Sequence, residues 1–520
     1  MFAAESCADL SRVELKNAEV SAAQVIAPGA FLPPNVKPNT PESERYKKLP
    51  AFCRVEVVAQ PSSDSQIAIE VWLPVENWNH KFRGQGNGGF AGALDFHGMA
   101  GSLSLGYLTA ATDAGHKAEG TDATWALHHP EKVKDFGFRA IHEMTGIAKT
   151  FGAKFYGEPP QWSYFDSCSD GGREALMEAQ RFPADYNGIL AGAPANDWTH
   201  LLSAALQTVQ VAEASPASFI PPSKLSLITG AVLRACDAAD GVRDGILTNP
   251  SLCKFDPGTL LCKGNQRAAC LSVAQMATLK QIYKGGTTSA GQLFFPGLMP
   301  SSEAGENGWQ DWVTGSANGK AAAHDYAAGF FRDMVYDDPA WHYRTASVDE
   351  SLRAADEKLA GTLNSTDPHL EKFKARGGKL ILYHGWLDPA ISPLNSVKYY
   401  LSVSSAMGQA ATDEFVRLYM VPGMRHCVGG PGPFIFGQLG VARSRDSAHN
   451  IFTALEEWAE RGTAPNSIIA TKLKDDKDPA KGVLLTRPLC PFPQQMKFAG
   501  NGSPSEAGSF SCQIHNGSAD

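Results

Sequence analysis

Residues 162–180 read WSYFDSCSDGGREALMEAQ, and no other stretch constrains the fold as strongly. An apolar strand-like run passes through one serine and two glycines straight into a helical run, with no residues left for a loop. A strand that turns so abruptly into a helix needs small side chains where the two backbones approach, which Gly171 and Gly172 supply. Such a turn holds Ser169 in a strained position with its hydroxyl exposed. The helix N-terminus beside it favours negative charge developing on a bound group. The local pattern is S-C-S-D-G, so Ser167 stands where a G-x-S-x-G motif has its first glycine. The competing reading is a serine that merely caps the helix, a common use of that residue.

The surroundings predict an α/β fold with a largely parallel sheet. Strand-like runs FCRVEVVAQ, QIAIEVWLP, YLTAATDAGH and YNGILAGAP alternate with helical segments at about 133–154 and 173–182. The first 50 residues are polar and Pro-rich and read as a wrapping arm. The Gly-rich stretch 84–92 matches neither a dinucleotide fingerprint nor a P-loop. From about residue 221 to 365 the β-α alternation stops, so residues 221–365 read as an inserted domain between two parts of one catalytic domain, 1–220 and 366–520. The alternation resumes at GGKLILYHG, a helix over 393–407, EFVRLYMVPG and a helix over about 446–460.

Two loops after these late strands supply partners for Ser169. LILYHGWLDPAIS places Asp388 just past a strand, and RLYMVPGMRHCVGG places His426 past the next one. Ser169, Asp388 and His426 follow one another at gaps of 219 and 38 residues. That chain order is the α/β-hydrolase order and differs from the two other common serine-hydrolase orders. Asp388 alone would read as a loop cap and His426 alone as a polar loop residue. In this order, they read as the acid and base of a Ser-His-Asp triad.

Ten cysteines with no C-x-x-C pair argue for a disulfide framework and an oxidising compartment. Cys168 precedes Ser169 and Cys427 follows His426, so a bond between them would staple the base loop to the serine turn. The alternatives are two unrelated buried thiols, or Cys168 acting as a thiol nucleophile.

The C-S-D-G-G-R run at 168–173, the G-x-x-D-P run ending at Asp388–Pro389 and the His426–Cys427 pair resemble the tannase and feruloyl esterase family. The resemblance runs from about residue 45 to 512. That family also contains a mono-hydroxyethyl terephthalate hydrolase. It implies an α/β-hydrolase fold with a large lid inserted after the nucleophile helix. It implies the pairs Cys7–Cys53, Cys168–Cys427, Cys236–Cys253, Cys262–Cys270 and Cys490–Cys512. It implies an oxyanion hole from the N–H of Asp170, which the turn geometry also suggests, and an N–H of the Gly88–Gly89 turn.

The segment 236–253, CDAADGVRDGILTNPSLC, gathers acidic groups at short spacing with turns expected at Gly241 and Gly245. Such carboxylates suit calcium, although the run does not match an EF-hand loop and reads equally as an acidic surface turn. The resemblance implies a structural Ca2+ held by Asp237, Asp240, Asp244 and the carbonyls of Val242 and Ile246. For the substrate, the aromatics of 330–343 with Arg332 among them suggest flat walls and one cation. Arg332, Phe331 and Ile391 are the expected pocket residues. An aromatic residue stands at the loop position of Ile391 in the terephthalate-ester enzyme, which speaks against that narrow activity here.

The expected function is hydrolysis of aromatic carboxylic esters, hydroxycinnamoyl esters foremost and gallate esters next. The alternatives are a secreted binding protein that has lost catalysis, a metalloenzyme using residues 237–244, for which no H-E-x-x-H motif exists, and a peptidase with the same triad. A net charge of -8 without any basic, aromatic-interleaved block points away from nucleic acid. No run of 18 apolar residues suggests a membrane helix. The N-terminus lacks a charged region followed by an apolar one, so no signal peptide is expected there, and with this cysteine usage the chain reads as a secreted or periplasmic protein in mature form. Sequons stand at Asn364, Asn501 and Asn516.

Overall fold

The computed structural model describes residues 5–264, 268–316 and 319–514. Its centre is a nine-stranded sheet. The strands are β1 (Ala18–Ile26), β2 (Phe52–Ala59), β3 (Ile67–Pro74), β4 (Lys81–Gln85), β5 (Leu108–Thr112), β6 (Trp162–Cys168) and β7 (Gly188–Gly192). After a separate hairpin, β8 (Gly285–Thr287) with β9 (Leu293–Pro296), the sheet is completed by β10 (Lys379–Gly385) and β11 (Val416–Val421). The spatial order is β1-β2-β3-β5-β4-β6-β7-β10-β11. β1, β2, β3 and β5 pair antiparallel. From β5 through β11 every pairing is parallel. The exchange of β4 and β5 within this mixed sheet is the α/β-hydrolase arrangement expected from the sequence.

Side chains alternate across the two faces of the sheet as the period of a strand requires. Along β10, Leu380 and Leu382 join the core under the helices Ala140–Tyr156 and Pro393–Met407. Ile381 and Tyr383 join a second core under Ile451–Arg461. Both faces are therefore covered, which is why the central strands read as continuous apolar runs.

The arm expected over the first 50 residues also contributes β1, an edge strand that the sequence reading missed. Its burial alternates weakly because it pairs on one side only. β4 was likewise missed, since KFRGQ is short, polar at its start and runs into the Gly-rich stretch.

β7 and β10 are neighbours in the sheet, so the described residues between them lie outside it. Part of this insertion has its own apolar cluster, built on Leu225, Ile228, Leu279, Ile282 and Trp309. The later part returns Phe330, Phe331 and Leu363 to the main core. Past β11, β12 (Ile468–Leu473) pairs with β13 (Val483–Leu489), and β14 (Gln494–Phe498) pairs with β15 (Phe510–Ile514).

All five implied disulfides are present: Cys7–Cys53, Cys168–Cys427, Cys236–Cys253, Cys262–Cys270 and Cys490–Cys512. They are consistent with an extracytoplasmic environment. Among the described residues, no helix is long and apolar enough to cross a membrane. Asn501 is exposed, Asn364 binds Thr199 through its side chain, and Asn516 lies outside the described residues.

Candidate active site

Ser169 stands between β6 and the helix Asp170–Arg181, with φ 69° and ψ -123°. That positive φ is a strained conformation for a residue with a side chain, and the surrounding contacts hold it. The Ser169 N–H donates to the Gly192 carbonyl at 2.9 Å, and the Ser169 carbonyl accepts from Ala195 N–H at 3.0 Å. The two glycines are sterically required. A Cβ on Gly171 would fall 1.9 Å from Ser167 Oγ, and one on Gly172 would fall 2.3 Å from the Gly192 carbonyl oxygen. The Ser169 side chain makes no capping bond to its helix. Its Oγ instead lies 2.9 Å from His426 Nε2.

The other two residues arrive on the loops after β10 and β11. His426 Nδ1 is 2.7 Å from Asp388 Oδ2. Asp388 is wholly buried, yet every lone-pair direction is served. Oδ1 accepts from Ala390 N–H at 2.8 Å and Ile391 N–H at 2.9 Å. Oδ2 is also 3.0 Å from His384 Nε2, and His384 Nδ1 is 2.7 Å from Ser396 Oγ. Burial would raise the Asp388 carboxyl, but the facing His426 and the bonds from both imidazoles outweigh it and hold the group well below the ordinary carboxylate range. The sequence reading missed His384, which sits inside β10 and reads there as an ordinary core position.

Cys427 has φ 62°, a second strained position, and its disulfide to Cys168 joins the two strained turns that carry Ser169 and His426. The helix Asp170–Arg181 is further anchored by Arg173, which is fully buried. It donates to Asp170 Oδ1 at 2.6 Å and to the carbonyls of Gly137 and Phe136 at 2.6 and 2.9 Å.

Gly89 and Asp170 line the same recess as Ser169 and His426, while Gly88 is exposed and does not line it. The recess holds about 540 Å³ of empty space, its open mouth included. Its walls are apolar: Trp198, Leu201, Leu202, Trp312, Tyr326 and Ile391. The Trp312 ring stands edge-on to His426 at 4.9 Å between centroids. Of the expected pocket residues only Ile391 lies here. Phe331 is fully buried in the main core against Phe330 and Trp341. Arg332 is spent on Asp333, to which it donates twice. Phe330, Phe331 and Tyr343 are core packing, the more common use of such residues, while Trp341 is partly buried and Tyr336 is exposed. A wider cleft of about 2230 Å³ opens between the helices Phe96–Leu103 and Ile451–Arg461 and touches none of Ser169, Asp388 and His426.

The acidic loop lies apart from this recess, closed by Cys236–Cys253, with Gly241 at φ 92° and Gly245 at φ 78° as the expected turns. Asp237 accepts from Gly245 N–H, Asp240 from Val242 and Thr248, and Asp244 from Ile246 N–H and Arg487. Burial raises the carboxyls of Asp237 and Asp240, and repulsion from Asp244 adds to it. A donor set of carboxylates and loop carbonyls fits a hard cation, which would relieve that repulsion. Separately, His142, Glu178 and Asp185 place ligand-type atoms within 4.8 Å of one another, a grouping able to hold a metal ion.

The sequence model described as tannase and feruloyl esterase matches residues 53–513. The chain is 38% identical over 534 residues to an uncharacterized esterase of Xanthomonas campestris pv. campestris, covering 98% of this chain and 91% of that protein. It is 31% identical over 522 residues to a probable feruloyl esterase B-2 of Aspergillus terreus, covering 99% and 96%. The crystal structure of feruloyl esterase B from Aspergillus oryzae superposes with a TM-score of 0.88 at 28% identity, covering 98% and 99% of the two chains.

Proposed function

The chain belongs to the tannase and feruloyl esterase family, and from that premise we propose that it is a serine esterase cleaving aromatic carboxylic esters, hydroxycinnamoyl esters foremost, through an acyl-enzyme. The observation that carries the reading is the continuous hydrogen-bonded row Ser169–His426–Asp388, whose Ser169 and His426 line an apolar recess. Ser169 attacks the ester carbonyl as His426 Nε2 takes its proton. Asp388 fixes the imidazole tautomer and stabilises the imidazolium. The N–H groups of Asp170 and the Gly88–Gly89 turn hold the tetrahedral oxyanion. His426 then protonates the leaving alcohol, and later activates the water that releases the acid.

The recess favours a neutral, flat acyl group. Its described walls are aromatic and aliphatic, and His426 is the only basic side chain among them. That supports a ferulate-like acid, or gallate as the next candidate, over the carboxylate-bearing acyl group of a terephthalate monoester. Residues 221–365 act as a lid whose Trp312 and Tyr326 complete the pocket. Asp237, Asp240 and Asp244, with the carbonyls of Val242 and Ile246, hold a structural Ca2+ that stiffens the lid loop and takes no part in the reaction. The five disulfides support a secreted or periplasmic location.

The test is a matched rate panel of methyl ferulate, methyl caffeate, methyl gallate, mono-hydroxyethyl terephthalate and a short aliphatic ester, with Ser169→Ala alongside. A preference for the hydroxycinnamates that disappears in the variant is expected. Equal rates on the aliphatic ester would remove the aromatic-pocket reading, and an active Ser169→Ala would remove the serine mechanism.

A further inference from the structure

Glu174 lies one helical turn beyond Gly171 on the nucleophile helix and is only 2% exposed. Residues three apart share a helix face, so both meet the same neighbour. That neighbour is Asn87, in the loop that leaves β4 toward Gly88 and Gly89. Glu174 Oε2 accepts the Asn87 N–H at 2.8 Å. The Asn87 carbonyl accepts the Gly171 N–H at 2.9 Å. The Asn87 side chain donates in turn to the carbonyls of Thr112 and Ala93 at 2.9 and 3.1 Å. Gly86 passes so close that a Cβ there would fall 2.6 Å from Glu174 Oε2 and 2.8 Å from Ser167 Cβ. The loop is thus stitched to the nucleophile helix at two points, and one stitch is a buried acid for which nothing else in the proposed chemistry has a use.

We propose that Glu174 is a positioning residue: by holding Asn87 it fixes the Gly88–Gly89 turn at a set distance from Ser169. The proposal rests on the reading of Ser169 as the nucleophile. Oxyanion donors act only if they stand where charge will develop, so a small drift of this loop costs rate rather than binding.

The charge state of Glu174 suits the role. Burial, and then the neighbouring Asp170, raise its carboxyl to about 8 against the opposing pull of Arg173 and the Asn87 N–H. Glu178 on the same helix and Tyr186 ahead of β7 also face it. Its surroundings therefore favour the uncharged form. It holds the loop without setting a negative charge beside the oxyanion donors. Ionisation as pH rises through about 8 would place that charge there.

The experiment compares wild type, Glu174→Ala and Glu174→Gln on p-nitrophenyl acetate from pH 6 to 9.5, with a fluorophosphonate end-point count of reactive Ser169 to normalise for folded enzyme. Glu174→Ala should lower kcat by roughly 10- to 100-fold with KM within about 3-fold, the scale of a displaced oxyanion donor. Glu174→Gln should recover most of that loss, because its amide oxygen accepts the same N–H, and its kcat should stay level through pH 8 where the wild type falls. A labelled Glu174→Ala with wild-type kcat overturns the proposal, as does a Gln variant as slow as Ala. If the Ala variant does not fold, the Gln profile decides, and an unchanged alkaline fall overturns it. A wild type that fluorophosphonate does not label at Ser169 overturns the esterase reading and this proposal with it. A labelled wild type beside an unaffected Ala variant overturns this proposal alone.

Discussion

Asp388 shows what a wholly buried carboxylate requires. Ionised burial is costly unless donors and opposite charge replace the lost water. Here two backbone N–H groups and two imidazoles do so. Asp388→Asn keeps the size but reverses the polarity toward His426, stabilising the wrong tautomer. The expected result is a kcat loss of about 10³- to 10⁴-fold in a folded protein, read from initial rates and circular dichroism. His200 makes a separate prediction at this scale. Burial would lower it, but Asp197 and Asp356, on its two sides at 3.3 and 3.1 Å, outweigh this and raise it to about 9. A histidine raised on folding contributes stability that is fully present below its unfolded value near 6.5 and is lost as pH rises through about 9. With its side chain 27% exposed, the contribution is discounted to about 1 kcal/mol. His200→Gln should therefore lower the unfolding temperature at pH 6 and leave it unchanged at pH 9.5. An equal loss at both values would refute the ion-pair account.

At the scale of elements, the junction of β6 and the helix Asp170–Arg181 is set by backbone proximity. Gly172 sits against the Gly192 carbonyl and Pro194, so an added methyl meets backbone that cannot rotate away. Gly172→Ala should destabilise the fold by about 2 kcal/mol or more and depress kcat as the serine turn shifts. Thermal unfolding and rates measured together check this, and a neutral outcome would mean that strand and helix can separate. The Cys168–Cys427 bond belongs to the same element-level logic. It closes 259 residues of chain and ties together the two turns that carry Ser169 and His426.

For the whole molecule, the decisive fact is that the insertion between β7 and β10 bends back over the sheet's C-terminal edge. Trp312 and Tyr326, distant in sequence from the elbow, become walls beside Ser169 and His426. The acidic loop stands elsewhere in that insertion, held to the β13 side chain Arg487 through Asp244. If it carries calcium, removal with EGTA should lower the unfolding temperature while the initial rate at 25 °C stays within about 2-fold, since bound ions stabilise by mass action. Asp240→Asn should abolish the calcium-dependent shift. A rate that collapses before any change in stability would place the ion in the chemistry instead.

The serine turn, the order of its partners and the alternation of strands and helices were legible in the sequence because each depends on neighbouring residues. Gly171 and Gly172 must be small beside Ser169, and Asp388 and His426 must follow strands, whatever the rest of the chain does. The five cysteine pairs were readable through family resemblance, and the structure joins the same ten residues. Tertiary structure alone decided which aromatics face the recess beside Ser169. Phe331 and Trp312 are equally apolar, but one falls under the core and the other over His426. It also decided that His384 supports Asp388 and that Glu174 meets Asn87. Those contacts join residues from separate segments, and packing between elements sets them, so no local spacing announces them.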